Sequence, residues 1–294
     1  MVQIRMQGIT KKEIETYERD GVVCVRGAFE HNWIERLRRA TDAVIAAPGK
    51  FGANYGSASD QTKGGGAFFG DLYVWTINEI FADLAFNSPA AGIAGALMGA
   101  TKVNLFYDHL LVKEAGSAAP TPWHHDLTYW CVEGWRVASV WIPFDSVNRS
   151  SGAVEYVRGS HRWGRRFQAQ DFMEGDLFKD AALEAIPDIE GNRDAYDIIS
   201  FEVEPGDCIV HHALTLHGAP GNTSKRRRRA VSIRYAGDGA VYTERKNMSK
   251  PIRDPGLRHG DPLDCELFPI VWRRASECIG PDFRAAGSPG RPPI

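Results

Sequence analysis

From residue 101 to about 240 the chain breaks into short runs of β-branched and aromatic residues, and this succession limits the possible folds more than any other feature. Val103-Asn104-Leu105-Phe106-Tyr107, Val137-Ala138-Ser139-Val140-Trp141-Ile142, Cys208-Ile209-Val210 and Ala230-Val231-Ser232-Ile233-Arg234-Tyr235 have strand composition, with Gly, Pro and Asn turns between them. Many short strands punctuated in this way bury their apolar faces by packing into a sandwich or jelly roll. The expected architecture is therefore mainly β with flanking helices. Helices are expected over 10–47, where Thr10 can cap a segment through Ile14 and Tyr17 to Gly21. Trp33, Ile34, Leu37, Ala40, Val44 and Ile45 then recur at helical spacing. Between these helices Val22-Val23-Cys24-Val25 reads as a short buried strand.

Residues 48–70 hold Pro48, Gly49, Gly52, Gly56, the triple glycine 64 to 66 and Gly70, and read as one long loop, either a functional wall or a surface excursion. The charged, helix-compatible stretch 167–197 is expected to form an insertion over the sheet. The Gly- and Pro-rich tail from about 280 is expected to be poorly ordered. With no internal repeat and no convincing linker, residues 1–294 are expected to form one domain.

A formal net charge of -2 gives no reason to expect nucleic acid or an anionic membrane as partner, so the expected partner is a small molecule. The five cysteines are scattered without a Cys-x-x-Cys pair, which favours a reducing compartment over a disulfide scaffold or thiolate zinc site. Met1 to Lys12 has no apolar core of a secretory signal, and no window reads as a membrane span. Together these features point to a cytoplasmic protein.

Chemistry enters at Trp123-His124-His125-Asp126. If residues 123–127 are extended, period-2 alternation puts His124 and Asp126 on one face and His125 on the other. His217, in Leu214-Thr215-Leu216-His217-Gly218-Ala219-Pro220, sits where a strand end runs into a tight turn and can point into the mouth of a barrel. Two imidazoles and one carboxylate on one side of a metal leave open positions opposite, the facial arrangement of non-haem Fe(II) oxygenases. His211 and His212 compete with His217, but Pro205-Gly206-Asp207 suggests that they lie nearer the start of their strand. For any of these histidines taken singly, a hydrogen-bonded structural role is the commoner one.

The basic run Lys225-Arg226-Arg227-Arg228-Arg229 reads either as a solvated face or as a nucleic-acid patch. If a strand begins near Arg228, alternation sends Arg228, Ala230, Ser232 and Arg234 to one face and Arg229, Val231, Ile233 and Tyr235 to the other. The first face mixes small and polar residues, as a ligand-lining interior does, and an arginine there can hold a carboxylate through its planar fork.

Taken together, Trp123-His124-His125-Asp126, Trp130, Gly152-Ala153-Val154 leading to Gly159-Ser160-His161, and His217-Gly218 followed by Asn222 and Arg228 resemble the phytanoyl-CoA dioxygenase family of Fe(II)- and 2-oxoglutarate-dependent oxygenases. Asp20-Gly21-Val22-Val23 also looks like that family's opening, and the resemblance covers roughly residues 10–240. It implies a double-stranded β-helix (a cupin-like jelly roll) with iron held by His124, Asp126 and His217. By similarity, Arg228 would grip the distal carboxylate of 2-oxoglutarate and Trp130 would border that co-substrate. Many members carry a serine where this chain has Ala219, and a glutamine, six places before the counterpart of Lys113, where it has Tyr107. Tyr107 keeps a hydrogen-bond donor. The implied reaction consumes O2 and releases succinate and CO2, with hydroxylation of a small molecule as the default outcome and desaturation or ring closure as variants. Two alternatives remain: a cupin-type metalloenzyme without 2-oxoglutarate, drawing on His125, His211 and His212, and a catalytically silent binding protein on the same barrel. For the substrate, Trp123, Tyr129, Trp141, Phe69 and Tyr73 are candidate aromatic walls. Arg158, His161 and Arg234 are candidates to meet an anionic group.

Overall fold

The structure is a computed structural model, and it describes residues 8–55, 66–168, 183–245 and 248–274. Thr10 caps helix α1 (Lys11–Asp20) through a reciprocal capping box with Glu13. Gly21 ends the helix in the left-handed conformation, φ 75°. A side chain at this position would also collide with its neighbours, since an added Cβ would lie 2.3 Å from His161 Nδ1. The chain then enters strand β1 (Val22–Val25) and helix α2 (His31–Ala46), as the helical and β-branched patterns predict.

Strand pairing is antiparallel throughout the named strands. The larger sheet runs in the order β1, β10 (Cys208–His212), β7 (Val137–Pro143), β12 (Arg228–Gly237), β4 (Lys102–Lys113), β3 (Phe68–Leu72) and β2 (Ala53–Tyr55), with β14 (Ile270–Arg273) also on β4. The smaller sheet runs β5 (Thr121–His124), β11 (His217–Ala219), β8 (Glu155–Val157) and β9 (Ile198–Ser200). A two-stranded ribbon pairs β6 (Val132–Glu133) with β13 (Val241–Tyr242). One face of the large sheet is covered by α1, α2, α3 (Glu79–Asn87) and α4 (Ala90–Leu97), which bury Ile34, Leu37, Phe81, Leu84 and Ile93 against Val140, Ile142, Val231 and Ile233. The other face meets the small sheet, where Val22, Trp141, Ile209 and Ala230 pack with Val154, Tyr156 and Ala219. Two facing antiparallel sheets form the jelly roll, and the cavity described below lies between them.

One expectation is corrected, and two fall partly or wholly outside the described residues. The segment 48–70 is not one loop: Ala53–Tyr55 and Phe68–Leu72 pair as β2 and β3 and extend the large sheet, while 56–65 fall outside the described residues. Glycine and aspartate within Phe68-Phe69-Gly70-Asp71-Leu72 mask its strand signal. Gly70 is required there because a Cβ would lie 2.1 Å from the Tyr55 ring. Within 167–197, residues 169–182 lie outside the described set. The remainder holds an isolated bridge, Phe167 with Glu184, and one short 3-10 turn (Arg193–Ala195). The tail from about 280 is likewise outside the described residues.

By length and apolarity alone, the 19 residues Glu79–Leu97 would suffice to cross a membrane, contrary to the sequence reading. In the fold they form α3 and α4, interrupted at Ser88-Pro89, where proline lacks the amide that a continuous helix needs. Both helices are buried against the sheet. The four described cysteines, Cys24, Cys131, Cys208 and Cys265, are free thiols.

Asp108, on the helix-covered face of β4, gives a pH signature. It is buried, its carboxylate accepts from the Trp75 amide at 3.1 Å, and burial pushes its pKa up to about 7 against the attraction of Arg234. The folded value lies above the unfolded one near 4, so the protonated acid favours the fold. That contribution is fully present at low pH and is lost as pH rises through about 7. Asp108→Asn keeps an acceptor for Trp75 and removes the titration. The melting temperature of the variant relative to wild type is expected to rise between pH 5 and pH 8, with a ceiling of roughly 4 kcal/mol. A pH-independent difference would contradict the assignment.

Candidate active site

His124 ends β5, and β5 and β11 pair so that His124 and His217 stand directly opposite each other, ring centroids 4.2 Å apart. The strand stops at His124. His125 is still extended, and Asp126 opens a 3-10 turn (Asp126–Thr128) instead of continuing β5. The expected extension over 123–127 is thus two residues too long, yet the outcome for the side chains is the predicted one. His125 turns away and accepts from the Phe167 amide at 3.0 Å, while Asp126 Oδ1 lies 3.6 Å from His124 Nε2. One ligand atom from each of His124, Asp126 and His217 falls within 4.8 Å of the others, and all three residues are buried.

The donor set fits iron. Nδ1 of His124 lies 2.8 Å from the Pro122 carbonyl, and Nδ1 of His217 lies 2.9 Å from that of Thr215. A carbonyl only accepts, so each Nδ1 carries the proton and each Nε2 keeps the lone pair that a metal needs. Burial, and then the neighbouring His124 and His211, hold His217 well below the usual imidazole range, so its ring is neutral. For Asp126, burial alone would raise the pKa. The imidazoles of His124, His211 and His217 beside it reverse this and hold it well below the ordinary carboxylate range.

Asp126 is also held from behind. Tyr129 donates to Oδ1 at 2.9 Å and Ser139 donates to Oδ2 at 3.1 Å, with His211 Nε2 at 3.4 Å from Oδ2. Ser139 and His211 are register partners on β7 and β10, so strand pairing presents both donors to one oxygen. His211 and His212 therefore end β10 rather than begin it: the strand starts only at Cys208, after the Pro205-Gly206-Asp207 turn. Supporting hydrogen bonds of this kind orient a ligand. Tyr129→Phe is expected to weaken iron binding about 10- to 100-fold, read by Fe(II) titration. Unchanged affinity would remove Tyr129 from the account.

The cavity beside these ligands is lined by His109, Thr121, His124, Trp141, Tyr156, His211, His217, Arg228, Ser232 and Arg234, with Phe68, Leu111, Val154 and Ala219 as its apolar wall. β12 starts at Arg228 in the predicted register. Arg228, Ser232 and Arg234 face the cavity, whereas Arg229 points outward and pairs with Asp145. The basic run is thus divided: Arg227 pairs with Asp42 and Glu114 on the surface, and Arg228 is buried. Burial pushes the Arg228 guanidinium down to about 10, its Nη2 donates to the Gly152 carbonyl at 3.2 Å, and among the described residues its Nε has no partner. A buried guanidinium with an unmet donor suits the distal carboxylate of 2-oxoglutarate. Across the ladder, Lys113 is its register partner, also buried, donating to the Pro220 carbonyl at 2.7 Å. Burial and Arg228 hold this lysine well below its usual range.

Other expected residues take different places. Trp130 and Tyr107 do not line the cavity. They pack with Phe106 and Phe268 in a separate cluster, where their ring faces lie against the Arg234 guanidinium. The turn after Asp126 carries Trp130 into that core instead of along the cavity wall. Trp141 is the aromatic residue that meets Arg228, at 5.6 Å. Of the other candidate walls, Tyr129 supports Asp126, Phe69 and Tyr73 lie in hydrophobic clusters, and Trp123 lies on an outer groove and donates to Glu190. Arg158 pairs with Asp197 at the surface. His161 packs against Trp135 and His212 beside the Glu18 carbonyl. Sequence spacing gave no warning of Ser139 or Tyr156, and it offered His211 as a competing ligand, not as a support of Asp126. Tyr156, the register partner of His217, stacks on that ring at 5.9 Å.

The family model for phytanoyl-CoA dioxygenase matches residues 17–230. A probable phytanoyl-CoA dioxygenase of Caenorhabditis elegans is 23% identical over 289 residues, covering 90% of this chain and 91% of its own length. An L-proline trans-4-hydroxylase of Streptomyces griseoviridis is 26% identical over 173 residues, covering 54% of this chain and 63% of its own. The crystal structure of the non-heme alpha ketoglutarate dependent carbocyclase SnoK from nogalamycin biosynthesis superposes with a TM-score of 0.72 at 25% identity, covering 90% of this chain and 98% of that one. The family match over most of the chain, the jelly roll and the His-Asp-His face beside a buried arginine agree: this chain belongs to the phytanoyl-CoA dioxygenase family of Fe(II)- and 2-oxoglutarate-dependent dioxygenases.

Proposed function

We propose that the protein hydroxylates a small molecule held between the two sheets, with His124, Asp126 and His217 as the iron ligands and Arg228 as the anchor of 2-oxoglutarate. The observation that carries this reading is the convergence of three buried ligand atoms within 4.8 Å, in a cavity that also contains an unpaired buried guanidinium. Iron and 2-oxoglutarate, when bound, supply the oxidising power: decarboxylation to succinate and CO2 is coupled to reduction of O2 and oxidation of the substrate. The chain supplies placement. The Pro122 and Thr215 carbonyls fix the two imidazole tautomers, three donors fix the Asp126 carboxylate, and Arg228 sets which end of the keto acid points away from the ligands. Trp141, Val154 and Tyr156 give the cavity a largely apolar lining that keeps bulk water from the reacting centre.

Hydroxylation agrees with the activity named for the Streptomyces relative, and ring closure with that named for SnoK. A cupin-type centre would recruit a further histidine, but the nearest, His211, is occupied with the second oxygen of Asp126. The test is succinate release from 2-oxoglutarate on addition of Fe(II), wild type against His217→Ala. Wild type is expected to release succinate even without substrate, and the variant is not. Failure of wild type to consume 2-oxoglutarate under any substrate would defeat the reading.

A further inference from the structure

Arg228 is not the only guanidinium in the cavity. Arg234 lies on the same face of β12, before the bulge at Tyr235, and is 6% exposed. Its contacts among the described residues are the Ser232 carbonyl at 2.7 Å, His109 Nδ1 at 3.4 Å, and the ring faces of Tyr107 and Trp130 at 4.9 and 5.8 Å. No carboxylate bonds it directly, although Asp126 and Asp108 lie near enough to favour its charge, and among the described residues its Nε has no hydrogen-bond partner. The contrast with other arginines is sharp. Arg36, Arg193, Arg227, Arg229 and Arg245 each pair with an aspartate or glutamate. Arg228 and Arg234 share burial, an orphaned Nε and a position on this cavity. A buried guanidinium edge left without an acceptor is costly, and an anion arriving in the cavity can satisfy it.

We propose that Arg234 is the second anion anchor of the cavity, and that it receives a carboxylate of the substrate. The proposal rests on the dioxygenase reading, in which Arg228 is already committed to 2-oxoglutarate. The surroundings hold the guanidinium in place. His109 Nδ1 faces an arginine, which can only donate, so Nδ1 accepts and the imidazole proton lies on Nε2, 2.9 Å from the Tyr55 hydroxyl. The aromatic faces of Tyr107 and Trp130 stabilise the cation without neutralising it. A planar fork with an open Nε edge matches a carboxylate. Farther along the same cavity, toward the Arg228 end of β12, the apolar wall of Phe68, Leu111 and Val154 suits an apolar body attached to a single charged group.

The test uses matched pairs: hexanoate, phenylacetate and N-acetylphenylalanine against their primary amides. The melting temperature is read on the protein loaded with Fe(II) and 2-oxoglutarate without oxygen. At least one acid is expected to raise it by about 2 °C or more beyond its amide. That increment is expected to vanish in Arg234→Gln, return in part in Arg234→Lys, and survive in Arg228→Gln, where the 2-oxoglutarate increment collapses instead. Equal shifts for acids and amides in wild type, or an acid increment that persists in Arg234→Gln, would overturn the proposal. So would an acid increment lost only in Arg228→Gln. A wild type with no 2-oxoglutarate increment and no succinate release would instead bring down the dioxygenase reading beneath it.

Discussion

Asp126→Asn is expected to abolish turnover and to weaken Fe(II) binding by more than the roughly 100-fold ceiling for loss of a supporting hydrogen bond. The change removes one charge and almost no volume, so the effect follows from donors and acceptors. Oδ2 accepts from Ser139 and faces His211, and Oδ1 accepts from Tyr129 and faces His124. An asparagine amide nitrogen placed at Oδ2 meets two donors. Placed at Oδ1, it meets the Tyr129 hydroxyl and takes the position of the ligand oxygen. The Ser139 and Tyr129 hydroxyls can turn to accept from an amide nitrogen, so the loss falls on the ligand itself: the negative charge goes, and in one orientation so does the ligand oxygen. Fe(II) titration with circular dichroism as a fold control reads the result. Retention of wild-type affinity would mean that Asp126 is not a ligand.

Arg228→Ala is expected to raise the Kd for 2-oxoglutarate by about 2 to 5 kcal/mol, roughly 30- to 4000-fold, because it removes a buried partner of a carboxylate. The neighbours are built-in controls. Arg227 and Arg229 pair with carboxylates outside the cavity, so their exchange for alanine is expected to leave 2-oxoglutarate binding largely unchanged. Alternation makes this contrast strict, since a register slip of one residue would bring Arg227 or Arg229 inward in place of Arg228. Equilibrium binding of 2-oxoglutarate to the three variants separates these cases. A large loss in Arg229→Ala with none in Arg228→Ala would refute the assignment.

The residues legible in the sequence are those whose geometry is local. Two-residue spacing brought His124 and Asp126 together even though the strand ends sooner than predicted, and alternation along β12 separated Arg228 from its neighbours. The supporting layer was not legible because long-range pairing makes it. Ser139 and His211 are 72 residues apart, yet they are opposed on β7 and β10 and meet at one carboxylate oxygen. Lys113 acquires its place across from Arg228 in the same way. Strand β3 escaped notice because Gly70 and Asp71 dilute its apolar signal, while the glycine itself exists to let the Tyr55 ring approach. Nor does sequence distance from Asp126 encode the 3-10 turn that carries Trp130 into the cluster with Phe106 and Phe268.

The central claim is that this His-Asp-His face, with Arg228 behind it, couples O2 to the decarboxylation of 2-oxoglutarate. The most direct test is mass analysis of succinate formed under isotopically labelled O2 in the presence of Fe(II). Wild type is expected to yield succinate carrying one labelled oxygen, and His217→Ala to yield none. Succinate formed without label, or 2-oxoglutarate left unconsumed by the Fe(II)-loaded wild type, would contradict the account.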